Sequence, residues 1–323
     1  MPSAASSHKN GAANTRYFHP ELSRHLTSAI PPYWHRLLIL RLTIRNVELF
    51  ATFSMFLEYL IFQPQDCSDK MDAEGVQQWV NIIMDAFQTP NLPRPGDEPI
   101  IGEIICSFWS NAMTVISPNA QIRFIKEFEI FLKAVVEQAQ ERESVVIVSD
   151  VDAYMKLRRN TLGAKPAFAL LEMNINVPDT LYDHPLLVNL RNLAVDMILL
   201  ANDLYSFNVE QSKGDDHNII THLVLHGHLT VQDAINHVAM KHSHLAKEFL
   251  EVAHAIPEFD TPEPEEMVRR LVDGLGNWIQ ANECWSFETW RYFQDDGLRV
   301  QKERSVSLLP RNTTLPPIIQ VSM

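Results

Sequence analysis

Hydrophobic side chains recur along most of this chain with the period of an α-helix. In one central segment the apolar positions are Phe124, Phe128, Phe131 and Val135, spaced four, three and four residues apart. Charged residues such as Glu127 occupy positions between them. Because an α-helix repeats about every 3.6 residues, this spacing puts the apolar side chains on one face and the charges on the other. The pattern therefore predicts an amphipathic helix packed on a core.

The same periodicity covers most of the chain, and strand-like alternation is scarce. The predicted helices cover residues 33–62, 73–88, 99–116, 119–142, 149–162, 166–173, 185–212, 217–227, 230–255, 263–280 and 283–294. Proline and glycine punctuate the segments between them. The sequence thus predicts an all-α fold, a single-domain helical bundle. Its predicted parts are a polar, disordered arm over 1–30, the helical domain over 31–304 and an extended, proline-broken tail over 305–323.

Composition narrows the class of protein. The chain has 323 residues, of which 46% are hydrophobic, and this is ample for a large core. A net charge of −13 without a basic stripe argues against nucleic acid as a partner. The most apolar stretch, residues 37–62, contains Arg41, Arg45, Glu48 and Glu58, so no transmembrane segment is expected. Three scattered cysteines suit a reducing compartment, and we expect a cytoplasmic location.

The most informative polar pattern is NDLYSFNVE, in which Asn202, Ser206 and Glu210 stand four residues apart. On a helix each step of four residues drifts by only ~40° and rises by ~6 Å, so their side chains share one stripe. Amide, hydroxyl and carboxylate oxygens are donors that suit Mg²⁺. A solvated polar face would show the same spacing. However, the preceding residues 186–201 are apolar on most sides, which favours a buried helix whose polar groups need partners.

A second cluster interrupts a predicted helix. Two adjacent arginines, Arg158 and Arg159, are followed by Gly163 and Pro166. Glycine tolerates unusual backbone dihedrals and proline removes an amide donor, so a helix broken here leaves carbonyl groups that can point into a cavity. An ordinary helix end with surface arginines is the alternative.

Two further clusters are candidates for ligand contacts. Aromatic residues crowd the segment WSFETWRYF over 285–293, where ring faces could stabilise a cation and Arg291 could bind a phosphate. Aromatic core packing explains this pattern equally well. Towards the N-terminus, Asp66 and Asp69 are three residues apart and could bind a cation together on a helix. Acidic helix ends give the same pattern.

Taken together, these motifs resemble the class I terpene synthases, specifically the fungal, basidiomycete-type sesquiterpene synthases. The similarity covers residues 65–310, and its most specific part, NDLYSFNVE, fits the family's NDxxSxxxE metal motif in full. The resemblance implies that Asn202, Ser206 and Glu210 bind one Mg²⁺. It also implies diphosphate-binding or catalytic roles for a second group, which comprises Arg159, Gly163 at the helix break, Lys213, Arg291 and Tyr292.

One part of the family pattern differs. The family expects an aspartate-rich motif, DDxxD or DExxD, and the corresponding segment reads Gln65-Asp66-Cys67-Ser68-Asp69. The resemblance makes Asp66 and Asp69 metal ligands, but it puts a neutral Gln65 where a bridging carboxylate is usual. We therefore expect weakened metal coordination and low activity. An alternative alignment places Leu57-Glu58-Tyr59 at this motif.

The resemblance implies a bundle with a central active-site cavity and a Mg²⁺-dependent lyase that acts on farnesyl diphosphate. Three Mg²⁺ ions would accompany the diphosphate, Mn²⁺ could replace them, and a sesquiterpene hydrocarbon or alcohol would form. The protein would be a monomer or a homodimer. Two other functions stay open: a catalytically impaired relative that binds a diphosphate or a partner, and prenyl chain elongation. Elongating enzymes usually pair two full aspartate-rich motifs, which this chain lacks.

Overall fold

The computed structural model describes residues 71–144, 151–172 and 175–311. Outside these ranges lie the predicted arm, the predicted helix over 33–62, and the metal-ligand candidates Asp66 and Asp69. Within them, the regular secondary structure consists of helices, and no β-strand is present. The prediction of an all-α fold is therefore confirmed.

The helices of the first half are α1 (Ala73–Gln88), α2 (Ile101–Ala112), α3 (Pro118–Ser144), α4 (Val151–Thr161), α5 (Ala164–Ala169) and α6 (Asp179–Tyr182). Those of the second half are α7 (Pro185–Lys213), α8 (Ile219–Leu225), α9 (Val231–His254), α10 (Pro262–Glu288), α11 (Trp290–Phe293) and α12 (Gly297–Glu303). Short 3₁₀ turns follow α5 at Leu170–Glu172 and α11 at Gln294–Asp296. Across the described ranges, none of these helices combines the length and the hydropathy that a membrane span requires.

Helices α1, α2 and α3 pack around an aromatic core. Phe87 of α1, Trp109 of α2 and Phe124 of α3 are all buried. The Trp109 and Phe124 rings stack with centroids 5.1 Å apart, and Phe87 meets Trp109 edge to face at 5.4 Å. Such ring pairs contribute about 0.5–1.5 kcal/mol beyond the burial of their area. Interlocking rings therefore hold these three helices together.

Helix α7 is the central helix of the second half, and it packs against α8, α9 and α10. Leu190, Leu199 and Leu200 on this helix are 0% exposed. Because its apolar side chains project in most directions, α7 is enclosed by its neighbours instead of lying on the surface. A polar side chain on α7 must consequently find a partner inside the bundle.

Several details of the helices differ from the periodicity. On α3, Phe124 and Phe128 are buried as predicted, but Phe131 and Val135 are only half-buried, and the next residues along, Leu132 and Val136, are buried in their place. The buried residues Phe124, Phe128, Leu132 and Val136 thus follow steps of four, each of which turns only about 40° around the helix. The short helices α6 and α12 lie outside all of the predicted helices.

Helix α10 is continuous from Pro262 to Glu288, whereas the pattern predicts separate helices over 263–280 and 283–294. No proline or glycine lies between residues 280 and 283 to end it. Its internal Gly274 has a packing role, since a Cβ there would lie 2.5 Å from the Leu171 side chain. The chain breaks instead at Thr289, whose extended backbone leads into α11.

Candidate active site

Asn202, Ser206 and Glu210 lie along one face of α7, near its carboxyl end. Ser206 is 3% exposed, and Asn202 and Glu210 are half-buried. Their side chains contact residues of α4 and α11 and the residue that caps α8, rather than extending into bulk solvent, as the following contacts show. A fully solvated polar face, the alternative explanation of the spacing, is not what the structure shows.

Asn202 links α7 to two other helices. Its Oδ1 accepts a hydrogen bond from Arg158 Nη2 of α4 at 2.7 Å, and its Nδ2 donates to the Tyr292 hydroxyl of α11 at 2.7 Å. Arg291 Nε donates to the same hydroxyl at 3.0 Å. The structure thus brings the C-terminal arginine–tyrosine pair and one of the two adjacent arginines to the first residue of the NDxxSxxxE motif.

Asp203, the next residue, holds α4 and α8 against α7. Its carboxylate is 0% exposed and accepts hydrogen bonds from the Tyr154 hydroxyl, from Arg158 Nε at 3.2 Å and from Ile219 N at 3.0 Å. Burial raises the pKa of the Asp203 carboxyl, and the positive charge of Arg158 opposes that rise. Removing one partner of a buried charge pair typically costs about 3–5 kcal/mol. Asp203 therefore fixes the Arg158 guanidinium beside Asn202.

Glu210 lies in surroundings that are short of positive charge. Burial and the carboxylates of Asp215 and Asp203 raise the pKa of Glu210 to about 8, although a hydrogen bond from Asn218 and the charge of Arg158 lower it. A divalent cation would supply the missing charge. Amide, hydroxyl and carboxylate oxygens are ligands that Mg²⁺ accepts. The donor set and electrostatics of this face thus fit Mg²⁺.

The predicted helix break after α4 is present. Gly163 has a φ of +76°, a left-handed conformation that glycine adopts without steric cost, and α5 begins at the next residue. Arg159, in the last turn of α4, donates two hydrogen bonds to the Asp196 carboxylate of α7, at 2.5 and 2.9 Å. The structure therefore pairs Arg159 with Asp196 and brings Arg158 to Asn202, although the family resemblance singles out Arg159.

The carboxyl end of α7 carries a further predicted residue. Lys213 lies in its last turn, three residues beyond Glu210, and its side chain is exposed. A long, exposed ammonium at this position can swing towards a polyanion near the stripe.

In the loop that follows α7, Asp216 forms an ion pair with Arg311 at 3.5 Å, so the end of the described chain lies close to this helix end.

Residues 304–311 lack regular secondary structure and return to α7. Asn208 Nδ2 donates to the Ser307 carbonyl at 3.1 Å, and Asn208 Oδ1 accepts from Leu309 N at 2.7 Å. Gln211 Nε2 donates to the Leu309 carbonyl at 2.8 Å. The side-chain amide of Asn208 thus donates one hydrogen bond to the tail backbone and accepts another from it. These contacts attach the tail to the same helix that carries the NDxxSxxxE motif.

The aromatic residues near the C-terminus pack α10 and α11 on α7. Phe287 is 4% exposed, and its ring stacks on Phe293 at 5.2 Å and meets Tyr205 of α7 at 4.8 Å. The Trp285 ring meets Tyr292 edge to face at 5.9 Å. Core packing thus accounts for Phe287. It also fixes the position of the Tyr292 hydroxyl.

Four residues of this polar network were not predicted from the sequence, namely Tyr154, Asp196, Asp203 and Asn218. Arg158 was noted there only as the neighbour of Arg159. The two aspartates carried a usable signal, because an acid within a helix predicted to be buried requires a partner. Tyr154 gave no such signal, since its hydroxyl meets Asp203 across 49 residues of sequence.

Comparison with known proteins connects this site to a family. The family model described as "Terpene synthase family 2, C-terminal metal binding" matches residues 60–248. A Delta(6)-protoilludene synthase of Cyclocybe aegerita is 50% identical over 252 residues, which are 78% of this chain and 38% of that protein. The chain thus spans well under two thirds of that relative. A Delta(6)-protoilludene synthase of Stereum hirsutum is 40% identical over 253 residues, 78% of this chain and 72% of that protein.

The fold is also known. A linalool/nerolidol synthase from Streptomyces clavuligerus, solved with 2-fluorogeranyl diphosphate, superposes with a TM-score of 0.66 at 18% identity, over 82% of this chain and 96% of that one. At this identity the likeness supports the all-α fold alone. The family model and the relatives together confirm the family that the motifs predict. This chain belongs to the terpene synthases, a family of enzymes.

Proposed function

We propose that this protein is a magnesium-dependent terpene synthase that ionises farnesyl diphosphate and releases a sesquiterpene hydrocarbon or alcohol together with diphosphate. Relatives that are named as sesquiterpene or Delta(6)-protoilludene synthases, at 36% to 50% identity, support the reaction class and the fifteen-carbon substrate. The description of the family model as metal binding supports a divalent metal. A cytoplasmic location and a monomeric or homodimeric state stay predictions.

The observation that carries this proposal is the interior stripe of α7. Asn202, Ser206 and Glu210 would hold Mg²⁺ through their side-chain oxygens. The pKa of Glu210 is raised because burial and neighbouring carboxylates disfavour its negative charge, and a bound cation would offset this. Mg²⁺ bound there with the substrate would act as a Lewis acid that stabilises the negative charge of the leaving diphosphate.

Donors from the chain would stabilise the same leaving group. The hydrogen bonds between Asn202, Tyr292 and Arg291 place a guanidinium and a hydroxyl beside the stripe. Lys213 can approach from the end of the helix. Donors that are already in position cost no reorganisation when charge develops on the leaving oxygen. We therefore assign substrate-binding roles to Lys213, Arg291 and Tyr292.

Arg159 needs a rearrangement to reach the diphosphate. Its guanidinium is held by Asp196, so binding the substrate would require exchange of one carboxylate for phosphate oxygens. The left-handed turn at Gly163 lies directly after α4 and gives this segment a hinge that absorbs a change in backbone direction. In this proposal Arg159 senses the diphosphate and Gly163 permits the response, while Arg158 stays bound to Asp203.

In the proposed reaction the bond between C1 of the prenyl chain and the diphosphate oxygen breaks, and the electron pair leaves with the oxygen. The allylic cation that remains reacts with the double bonds of its own chain. It ends by losing a proton, which gives a hydrocarbon, or by capturing water and then losing a proton, which gives an alcohol. The released diphosphate can accept the proton in either case. No protein nucleophile is required, but the cavity has to exclude water until the last step.

The test is a product assay. Purified protein is incubated with farnesyl diphosphate and Mg²⁺, and volatile products are identified by gas chromatography with mass spectrometry. We expect a sesquiterpene product that disappears on addition of a chelator, and Delta(6)-protoilludene is the first compound to compare with it. Geranyl and geranylgeranyl diphosphate serve as controls for chain length. Absence of both volatile product and diphosphate release would instead indicate a catalytically impaired relative.

Asp66 and Asp69 complete the proposal, although they lie outside the described residues. We propose that they hold additional Mg²⁺ or Mn²⁺, three ions in all with that of the stripe. Because Gln65 is neutral where the family has a bridging carboxylate, Gln65→Asp should raise turnover and lower the Mg²⁺ concentration needed. Unchanged turnover in a folded Gln65→Asp protein would show that this alignment of the acidic motif is wrong.

A further inference from the structure

Asn218 precedes the first residue of α8 and is 0% exposed. Its Oδ1 accepts a hydrogen bond from Ile220 N at 2.9 Å and so caps the helix. A side-chain oxygen is all that such a cap requires, and serine, threonine or aspartate would provide one. The amide nitrogen of Asn218 is not needed for the cap, and it lies against α7 instead.

The amide nitrogen contacts three acceptors on α7. Asn218 Nδ2 donates to the Asp203 carbonyl at 2.7 Å and to Glu210 Oε2 at 2.8 Å, and it lies 3.3 Å from Ser206 Oγ. Because an amide nitrogen carries two hydrogens, the two short contacts are full hydrogen bonds and the longer contact shares one of them. One buried side chain therefore touches two of the three oxygens of the metal motif.

These contacts constrain how the motif presents its oxygens. A hydrogen bond to Oε2 fixes the plane of the Glu210 carboxylate and leaves Oε1 for a second partner. The contact with Ser206, whose hydroxyl also donates to the Asp203 carbonyl at 3.4 Å, restricts rotation of that hydroxyl. Groups that hold metal-binding carboxylates in this way are often as important as the ligands themselves.

We propose that Asn218 is a positioning residue of the metal site, which orients the Glu210 carboxylate and the Ser206 hydroxyl towards Mg²⁺. The inference rests on the proposed function, because it assumes that the stripe binds a metal with a diphosphate. It assigns a role to a residue that lies eight positions beyond Glu210, outside the NDxxSxxxE motif.

Two variants separate positioning from capping. Asn218→Ser keeps a capping oxygen for α8 but removes the amide nitrogen. Asn218→Asp keeps the length and the capping oxygen, and it puts an oxygen that cannot donate against Glu210. The matched control is Thr230→Ala, which removes the cap of α9, where Thr230 Oγ1 accepts from Asp233 N at 3.1 Å. The control thus loses a cap without touching the stripe.

Affinity for Mg²⁺ is measured by isothermal titration in the presence of inorganic diphosphate, so that the readout does not depend on turnover. Thermal unfolding of each metal-free protein reports the capping effect separately. We expect Asn218→Ser to weaken Mg²⁺ binding by about 10- to 100-fold, the range typical for loss of a group that holds a ligand. Asn218→Asp should weaken it at least as much, and Thr230→Ala should leave it unchanged.

A double-mutant comparison sharpens the result. If Asn218 acts through Glu210, then Asn218→Ser should weaken Mg²⁺ binding less in a Glu210→Gln background than in the parent protein, since the two changes are coupled. Full additivity would contradict the proposal.

The outcomes distinguish this inference from the function on which it rests. If the parent protein shows no Mg²⁺ binding that depends on diphosphate, the proposed function is itself wrong and the inference falls with it. If the parent binds and Asn218→Ser binds with equal affinity, Asn218 is only a helix cap. Should Asn218→Asp fold poorly because of its buried charge, the neutral Asn218→Ser variant decides the question.

Discussion

The two halves of the bundle are packed by different kinds of side chain. In the first half, the rings of Trp109 and Phe124 stack between α2 and α3, and only apolar groups take part in that contact. In the second half, α7 has an aliphatic core, yet it also carries polar groups that are matched by other helices. Asn202 bonds to Tyr292 of α11, and the Glu210 carboxylate meets an amide at the start of α8.

The difference separates what stabilises the fold from what prepares the site. Ring packing stabilises the fold through the apolar surface that it buries, and it places no polar group where a ligand could bind. The polar groups of α7 gain little stability, because each hydrogen bond replaces one to water and each buried charge is costly. Changes in the aromatic core of α1, α2 and α3 should therefore alter unfolding without altering metal binding, and changes along the α7 stripe should do the reverse.

The largest effect should come from Phe124→Ala, which empties the centre of the aromatic core. Phe124 is 1% exposed, and the loss of such a ring typically costs about 3–5 kcal/mol of unfolding free energy. Urea unfolding measures this cost. Ile122 of the same helix is 66% exposed, so Ile122→Ala should change stability by less than about 0.5 kcal/mol. A Phe124→Ala protein that folds yet binds Mg²⁺ and diphosphate weakly would break the separation between the two halves.

Next in size is the loss of catalysis in Glu210→Gln. The change keeps shape but removes the single formal charge of the stripe, so turnover of farnesyl diphosphate should fall by about 10²- to 10³-fold, as for loss of a preorganised stabilising group. Product formation measures the fall. Glu251→Gln on the exposed side of α9 is the matched control, because its carboxylate is 64% exposed and pairs with Lys247 on the same helix. Equal turnover in both variants would contradict a role for the stripe.

A smaller effect is expected for Tyr292→Phe. The variant keeps the ring but leaves Asn202 Nδ2 and Arg291 Nε without their shared acceptor, and kcat/KM should fall by about 10-fold, which corresponds to roughly 1.4 kcal/mol. Trp290 is the neighbouring aromatic and is 67% exposed. Steady-state kinetics of Trp290→Phe should match those of the parent. A Tyr292→Phe enzyme with parental kcat/KM would show that the hydroxyl is structural only.

The smallest effect is a pH dependence of the metal-free protein. Because the pKa of Glu210 is raised from its ordinary value of 4.5 to about 8, the folded state holds a proton there that the unfolded state releases. This contribution to stability is complete below pH 4.5 and is lost as pH rises through about 8. Since Glu210 is half-buried, solvent screening keeps the effect small.

The control for this pH dependence is Glu210→Gln, because other groups titrate in the same range. Burial raises the pKa of Glu172 to about 7 and acts in the same direction, whereas burial lowers the pKa of His217 to about 3 and acts in the opposite one, since stability is lost as pH falls below 6.5. Thermal unfolding of both proteins from acid to mildly alkaline pH, across about pH 8, isolates the share of Glu210. Parallel curves would contradict the raised pKa.

Helix positions are the part of this structure that the sequence predicts best. The period predicts α1 over 73–88 and the structure has Ala73–Gln88, and α7 is predicted over 185–212 and ends at Lys213. Both helices have a strong apolar period and a clear start, an aspartate cap for α1 and a proline at the first position of α7. Local signals of this kind are complete within a few residues.

The partners of the site are the part that spacing alone does not predict. Arg158 and Arg159 differ by about 100° around α4, and nothing in their spacing tells which one faces the metal motif. In the structure Arg158 binds Asn202, and Arg159 binds Asp196. The choice depends on how α4 is rotated against α7, which is a property of tertiary packing. The same holds for Asn218, whose partners lie on another helix.

The hydrogen bond between Asn202 and Tyr292 spans 90 residues of sequence, and the tail that binds Asn208 comes later still. A ribosome therefore makes the helix of the NDxxSxxxE motif long before it makes the groups that we propose to complete the site. A chain truncated before α11 would carry every residue of NDxxSxxxE and still lack the arginine–tyrosine pair, so a nascent or prematurely terminated protein would lack two of the groups that we propose to bind diphosphate.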